Sequence, residues 1–289
     1  MKVFFSSGQL GNQLFQIAAA KRIARKNDTL VFIGYGESFD AIELIASDCK
    51  VFQFLRLRQG IRIRRMLSNL VFKSLQWLGN VLLKTGFAGP IKNSPEGPVE
   101  QKSWAGISIS LHEHFRESLI VAPSEIRLTT SRAKTASRRL ASWNIHQDRN
   151  GIARATFLHV RRGDYLEWPH PDSPAALDEE WFTRAITEIK GAQPDQPIVA
   201  FSDDPEWVRY RWQETDKFFI YEGSLQDSFA LMSTCNSGIL SPSTYSWWAT
   251  KLEEERKSGP FLAPMFWWGH RQKKWKEKAF KESAFLTFI

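Results

Sequence analysis

Ala155-Thr-Phe-Leu-His-Val-Arg-Arg-Gly-Asp164 opens as a short apolar run and ends in charge and glycine. A largely apolar segment such as Ala155 to Val160 reads as a buried strand, the habit of parallel sheets covered by helices. The same unit recurs downstream. Ala176 to Lys190 reads as a helix, Pro197 to Phe201 as a strand ending in Ser202-Asp-Asp204, and a helix follows from Pro205. Phe218 to Tyr221, Leu225 to Thr234, Gly238 to Leu240 and Thr244 to about Lys257 repeat strand, helix, strand, helix. Such alternation predicts a parallel sheet with ligands at the carboxyl ends of its strands. Every polar cluster of interest stands at such an end.

Towards the amino terminus the pattern begins again. Lys2 to Ser6 reads as a strand, Gly8-Gln-Leu-Gly11 as a turn, Asn12 to about Lys26 as a helix and Leu30 to Ile33 as a second strand. Gly89 to Gly106, rich in Pro, Gly, Ser and Asn, reads as a loop. Ser108 to Phe115 alternates weakly, and Pro123 to Leu140 reads as a helix with Ser124 as its N-cap. The polar segment Asn144 to Asn150 makes the best boundary, which gives an N-terminal α/β domain over 1–148 and a C-terminal one over 149–289. With 289 residues, 43% hydrophobic and 24% charged, the chain can bury a sizeable core, which excludes a disordered or fibrous protein.

Lys plus Arg number 39 against 31 Asp plus Glu, a net charge of +8 that attracts anions. Between Asp48 and Glu96 no acidic residue occurs, while Lys50, Arg56, Arg58, Arg62, Arg64, Arg65, Lys73, Lys84 and Lys92 do. Ile61, Ile63, Met66, Leu67, Leu70, Val71, Leu75, Leu78, Leu82 and Leu83 recur there at helical spacing, so the stretch of about 50–92 reads as a basic, amphipathic helical insertion. Two readings stand: a core helix with a solvated basic face, or a patch that rests on anionic lipid. The tail from Phe266 to Lys281 mixes Trp267, Trp268 and Trp275 with Arg271, Lys273, Lys274, Lys276 and Lys278, and divides between an interfacial segment and a packed terminal helix. Cys49 and Cys235 lie far apart in apolar stretches, which points away from a disulfide framework and towards a reducing cytoplasm. Neither a signal-peptide core nor a run of 18 apolar residues is present, so the expected location is cytoplasmic, with peripheral contact at the inner face of a bacterial membrane.

Arg161 and Arg162, adjacent at the end of a buried strand, are costly unless an anion meets them, and their planar forks suit pyrophosphate oxygens. Alternatively one pairs with Asp164 and the other points to solvent. Asp227 opens a helix, and a carboxylate there can accept both the ring N–H and the exocyclic amine of guanine. Ser243, Thr244 and Ser246 stand at a strand-to-helix turn, where hydroxyls and backbone N–H groups suit phosphate, although that spacing equally fits helix caps. Gly8, Gly11, Asn12 and Gln13 bring a tight turn and two amides to the end of the first strand, able to read sugar hydroxyls or position a phosphate. His112 and His114 have metal-ligand spacing on one side of a strand, yet no third ligand is evident nearby, and no Asp-x-Asp occurs. The expected chemistry is metal-independent and uses no cofactor, with arginines neutralising a leaving group.

Gly8-Gln-Leu-Gly-Asn-Gln-Leu-Phe-Gln16, His159-Val-Arg-Arg-Gly-Asp-Tyr165, Phe201-Ser-Asp-Asp-Pro-Glu-Trp207 and Ser241-Pro-Ser-Thr-Tyr-Ser-Trp-Trp248 together resemble the family 11 glycosyltransferases, the α-1,2-fucosyltransferases. The resemblance implies a GT-B-like fold of two Rossmann-like domains with a cleft between them, GDP-β-L-fucose as donor, a galactoside acceptor, and inverting transfer without metal. By similarity, Arg161 and Arg162 hold the pyrophosphate, His159 and Asp227 read guanine, Ser243 and its neighbouring backbone touch phosphate, and Asp164 braces the arginines or the sugar. One departure stands out: Pro242 occupies the place where such proteins carry Asn, which removes a donor N–H and an amide.

These readings combine into an expected galactoside 2-α-L-fucosyltransferase in which a galactose hydroxyl attacks fucose C1 from the face opposite GDP. The acceptor expected from the basic stretch is a lipid-linked oligosaccharide on an anionic membrane, as in O-antigen assembly. Glu37, Asp40 and Glu43 are further carboxylates near the first domain's strand ends, and Asp164 fits a structural or donor-orienting part better than that of general base. A related transferase using another GDP-sugar is the nearest alternative. A nucleic-acid-binding module would explain the charge and the 12 tryptophans but not the ordered motifs, so no nucleic-acid partner is expected.

Overall fold

The computed structural model describes residues 1–45, 48–55, 62–94, 96–101, 103–115, 126–252, 254–267, 272–273 and 285–289. It forms two compact units, Met1–Arg127 and Leu128–Ile289. The division falls ahead of the polar Asn144–Asn150 segment because the helix Thr130–Ser142 packs on a helix of the second unit.

In the first unit the strands are β1 (Lys2–Phe5), β2 (Thr29–Ile33), β3 (Ile42–Leu44), β4 (Lys50–Phe54), β5 (Ala88–Ser94), β6 (Gly97–Glu100), β7 (Ile107–Ser110) and β8 (Ile126–Leu128). The helices are α1 (Leu10–Ile23), α2 (Gly36–Ala41) and α3 (Arg62–Lys84). A six-stranded sheet runs β4-β2-β1-β7-β5-β6, parallel except for the antiparallel β5–β6 pair, and β3 pairs with β8 apart from it. Alternation sorts the rings of β1 to opposite faces. Phe5 joins Ile33, Ala88, Ile109 and Leu111 beneath Phe72, Leu75, Leu82 and Leu83 of α3. On the other face Phe4 stacks on Phe32 at 5.6 Å, and Phe32 meets Tyr35 and Phe39 edge-on. Lys2, almost wholly buried, pairs with Asp28 (3.0 Å) and Glu100 (2.9 Å), and Ser108 Oγ donates to Glu100 (2.5 Å). Burial alone would raise both carboxyls. The Arg25 backbone N–H and Lys2 hold Asp28 below its ordinary value, and Ser108 and Lys2 do the same for Glu100.

The second unit adds β9 (Ala153–Val160), β10 (Ile198–Ser202), β11 (Phe218–Tyr221), β12 (Cys235–Ile239), β13 (Phe261–Ala263) and β14 (Thr287–Phe288). Its helices are α4 (Thr130–Ser142), α5 (Glu179–Ala192), α6 (Pro205–Arg211), α7 (Leu225–Thr234) and α8 (Thr244–Lys251). The sheet order is β11-β10-β9-β12-β13-β14, all parallel. Counted from β9, the strands lie third, second, first, fourth, fifth, sixth, the doubly wound arrangement whose switch point lies between first and fourth. Leu158, Val160, Ile198 and Ala200 face a core filled by Trp181, Phe182, Ala185 and Ile189 of α5. Side chains capping the helices accept the first-turn N–H groups: Asp178 for α5, Asp204 for α6, Ser224 for α7 and Ser243 for α8. Cys235 is buried, which pushes its thiol up to about 12.

Several expectations are corrected. Within Gly89 to Gly106, β5 and β6 pair as antiparallel strands where a loop is expected, with Pro98 on the edge strand, where a missing N–H breaks no ladder. Lys50–Phe54 is a strand, and among the described residues the helical part of the insertion is α3. α4 begins at Thr130, capped by Thr129, because Ile126–Leu128 is drawn into pairing with β3. α1 starts at Leu10, so Gly11 lies within a helix and not a turn. His112 and His114 follow β7 instead of sharing a strand face. Arg56, Arg58, Ile61, Pro123, Ser124, Glu125, Trp268, Arg271, Lys274, Trp275, Lys276 and Lys278 lie outside the described residues.

Candidate active site

β9 and β12 are neighbours, and the chain leaving each carries the candidate residues to one edge of the second sheet. Ser241 fastens the two exits together: its Oγ donates to the His159 carbonyl (2.8 Å) and accepts the Arg161 N–H (2.9 Å). The register of β9 with β10 sets Phe201 beside His159 and Ser202 beside Val160, so Asp203 and Asp204 follow alongside Arg161 and Arg162.

Both arginines are paired, and neither simply points to solvent. Arg161 bonds Asp164 through Nη2 (2.6 Å) and pairs with Asp203 through Nη1 (3.0 Å), with its guanidinium 5.4 Å from the Tyr165 ring. Arg162 donates from Nε to Asp204 (3.2 Å), lies over Trp207 at 4.2 Å, and gives its backbone N–H to Asp203 (2.8 Å). Asp164 is 59% exposed and Asp203 only 24%, so Asp203 is the firmer brace. Gly163 permits that approach, since a Cβ there would meet Asp203 Oδ2 at 2.5 Å. A guanidinium offers five N–H donors, so each arginine oriented by these carboxylates retains donors for an anion.

His159 points to the other face of β9 from Leu158 and Val160, and its ring lies 5.5 Å from Tyr245. Burial, with a smaller push from Arg161, lowers its pKa to about 3, so the imidazole is neutral. His159 Nδ1 is buried without a hydrogen-bond partner among the described residues, in contrast to the Ser241 hydroxyl next to it. Tyr245 extends the cluster to α7 by donating to the Leu225 carbonyl (2.6 Å). There Asp227 accepts from Arg132 (2.6 Å) at Oδ1 and from Ser224 (2.6 Å) at Oδ2. A carboxylate accepts about four hydrogen bonds, which leaves capacity on both oxygens.

Ser243 caps α8, accepting the Tyr245 N–H (3.3 Å), while Ser246 Oγ donates back to the carbonyls of Ser241 and Ser243 (both 3.3 Å). Ser246 is fully buried and acts as a clip on the turn; Thr244 is the first helical residue. Pro242 keeps its carbonyl in use, accepting from Tyr165 OH (3.1 Å).

The glycine turn of the first unit is built differently. Gly8 has φ +73°, and a Cβ there would strike Asn12. Gln13 donates to the Gly8 carbonyl (3.1 Å) and accepts from Ser38 (2.7 Å), so its buried amide closes the turn. Gln16, fully buried, donates to the carbonyls of Phe5 (3.3 Å) and Glu113 (2.7 Å) and accepts from Ser7 N–H (3.1 Å) and Tyr35 OH (2.8 Å). Glu43 pairs with Arg127. Among the described residues no group of three His, Cys, Asp or Glu is arranged to hold a metal ion, and no helix is long and apolar enough to cross a membrane.

Sequence reading missed Asp203, Asp204 and Tyr245 as site residues. The signal lay in strand register, which sets the residues following β10 beside those following β9.

The model of "Glycosyl transferase family 11" matches residues 131–284, which contain every candidate site residue of the second unit. The O-antigen biosynthesis glycosyltransferase WbnK of Escherichia coli is 37% identical over 106 residues, 35% of this chain and 35% of that one. Galactoside alpha-(1,2)-fucosyltransferase 1 of Leontocebus fuscicollis is 24% identical over 262 residues, 86% of this chain and 64% of that protein. The chain thus spans about a third to two thirds of the length of these curated relatives. Among solved structures, POFUT1 in complex with GDP superposes with TM-score 0.54 at 12% identity, over 91% of this chain and 98% of that one. That likeness carries the fold: α/β, GT-B-like, with two Rossmann-like units. On the match to its family model, this chain belongs to glycosyl transferase family 11.

Proposed function

We propose that this chain is a fucosyltransferase that moves L-fucose from GDP-β-L-fucose to the 2-hydroxyl of a galactoside, with inversion and without a metal ion. The observation that carries the reading is the pair Arg161 and Arg162 at the switch point of the doubly wound sheet, each turned by a carboxylate of the neighbouring strand. Ligands of open α/β sheets bind at that point. Family membership and the names of the curated relatives support the donor and the linkage.

In the proposed reaction the galactose O2 forms a bond to fucose C1 as the bond from C1 to the β-phosphate oxygen breaks, and the hydroxyl proton leaves to a base. Arg161 and Arg162 offset the charge that grows on the departing GDP, in the role a metal ion fills elsewhere. His159 offers Nδ1, and Asp227 its remaining lone pairs, to the guanine edge. Ser243 and the α8 N-terminus face phosphate, and Asp164 braces Arg161. The acceptor is proposed to be a lipid-linked oligosaccharide precursor, in line with the O-antigen role in the name of WbnK.

Pro242 favours a second reading, a transferase of another GDP-sugar, because the side-chain amide is absent there. Incubation of the chain with a galactoside and a panel of GDP-sugars, with NMR of the product, separates the two. A new α-1,2-linked fucose in the presence of EDTA is the expected result; transfer only of a different sugar selects the second reading, and no transfer of any sugar overturns both.

A further inference from the structure

α3 carries two apolar faces. Phe72, Leu75, Gly79, Leu82 and Leu83 recur at helical spacing, with Gly79 buried and the rest half-buried, and the four side chains lie against the core under the sheet. Met66, Leu70 and Trp77, with Leu67, Val71 and Leu78 one residue on, repeat the spacing i, i+4, i+11 and so form a second stripe on the helix. That stripe is open to solvent: Met66 is 67% exposed, Leu70 63% and Trp77 68%. Phe52 and Phe54 of β4 are also about half exposed, and their register with Val31 and Ile33 puts them on the same sheet face as α3. Soluble monomers rarely leave so much contiguous apolar surface without a partner.

Charge selects the partner. Lys73 and Lys84 on α3 are exposed, and the sequence from Cys49 to Pro95 holds nine basic residues and no acidic one. A second copy of the chain would oppose like charges, whereas an anionic bilayer matches both the charge and the apolar stripe. At 23 residues α3 is about 35 Å long, but it is anchored along its opposite face and is not apolar enough to cross a membrane, so it would lie in the interface plane. We infer that the exposed face of α3 is a docking surface for an anionic lipid bilayer, with Leu70 and Trp77 entering the headgroup region and Lys73 and Lys84 pairing with lipid phosphates. The inference does not depend on the transferase reading.

Flotation of the full chain with vesicles of phosphatidylcholine alone, or of phosphatidylcholine with phosphatidylglycerol, tests it. The chain is expected to float with the anionic vesicles and to be released by high salt. Leu70→Gln with Trp77→Gln should weaken the partition by at least about tenfold, and Lys73→Gln by about fivefold. Because these side chains are exposed, the thermal midpoint and circular dichroism should stay unchanged. Equal flotation on neutral and anionic vesicles, or binding untouched by the double variant, overturns the inference. So does a dimer in sedimentation velocity that the double variant dissociates while vesicles recover nothing, which would assign the face to a second copy.

Discussion

The two units set the same kind of strand exit to opposite uses. Each has a central parallel strand, β1 or β9, flanked on one side by its immediate successor and on the other by a later strand. After β1 the exit is closed by neutral amides, Gln13 and Gln16, whose donors and acceptors are taken up by Gly8, Phe5, Glu113, Ser7, Tyr35 and Ser38. After β9 the exit holds two guanidiniums, three carboxylates and a neutral, buried histidine with an unsatisfied nitrogen. Topology makes both places suitable for a ligand, and the site proposed above is the one whose side chains keep N–H donors to spare. Amides bonded inward brace the chain, while guanidiniums oriented by carboxylates keep N–H donors that an incoming anion can use.

The contrast breaks most sharply at the arginines. Arg161→Ala or Arg162→Ala should cut turnover by about 10²–10³ while the far-UV spectrum and thermal midpoint stay close to wild type. Near-normal turnover in either variant would remove these residues from the reaction. Asp203→Asn should follow, with a loss of up to about 10²-fold, because it lets the Arg161 guanidinium and the Arg162 backbone drift from their aim. A loss larger than that of Asp164→Asn is the mark of a positioning role, as Asp164 is much the more exposed partner.

Acid separates the units by pH window. His159 is neutral when folded and titrates near 3, against an ordinary 6.5, so the unfolded chain takes up the proton first. Stability of the second unit is therefore present above pH 6.5 and should fall by about 2 kcal/mol between there and pH 5. In His159→Gln that part of the decline should vanish. Asp28 and Glu100 have lowered values, so their contribution to the first unit is present above the ordinary carboxylate range and lost only as pH falls through the folded values. Urea titrations over this range, with a probe in each unit, check the order. The smallest effect is expected at the amide joint: Gln16→Ala should cost about 1–2 kcal/mol by stranding the Ser7 N–H and the Glu113 carbonyl, with kcat preserved in the molecules that remain folded.

The second unit was legible because β10, β11 and β13 are almost wholly apolar runs and the helices α5 to α8 each begin at an Asp or Ser that caps them, as at Asp204 and Ser243. The first unit was less so. Gly97 and Pro98 look like loop residues until β5 supplies a partner, and Lys50–Phe54 hides its strand because β4 is an exposed edge. Thr129 and not Ser124 caps α4, a choice made by the non-local pairing of Ile126–Leu128. Within the site, the strand-end motif announced Arg161 and Arg162, whereas the part of Asp203 emerges only when two strands whose paired residues are 42 positions apart are laid in register. For Gln13 the sequence shows an amide but not which way it turns; in the structure it is directed to the Gly8 carbonyl and the Ser38 hydroxyl.

The end of β9 is proposed as a site for a guanine nucleotide held by Arg161 and Arg162. Calorimetric titration of GDP into the purified chain in the presence of EDTA, with ADP and UDP as controls and Arg161→Ala as the matched variant, tests it most directly. Saturable binding of GDP in preference to ADP and UDP is expected, lost or greatly weakened in the variant. Equal binding of all three nucleotides, or GDP binding that the variant leaves intact, would contradict it.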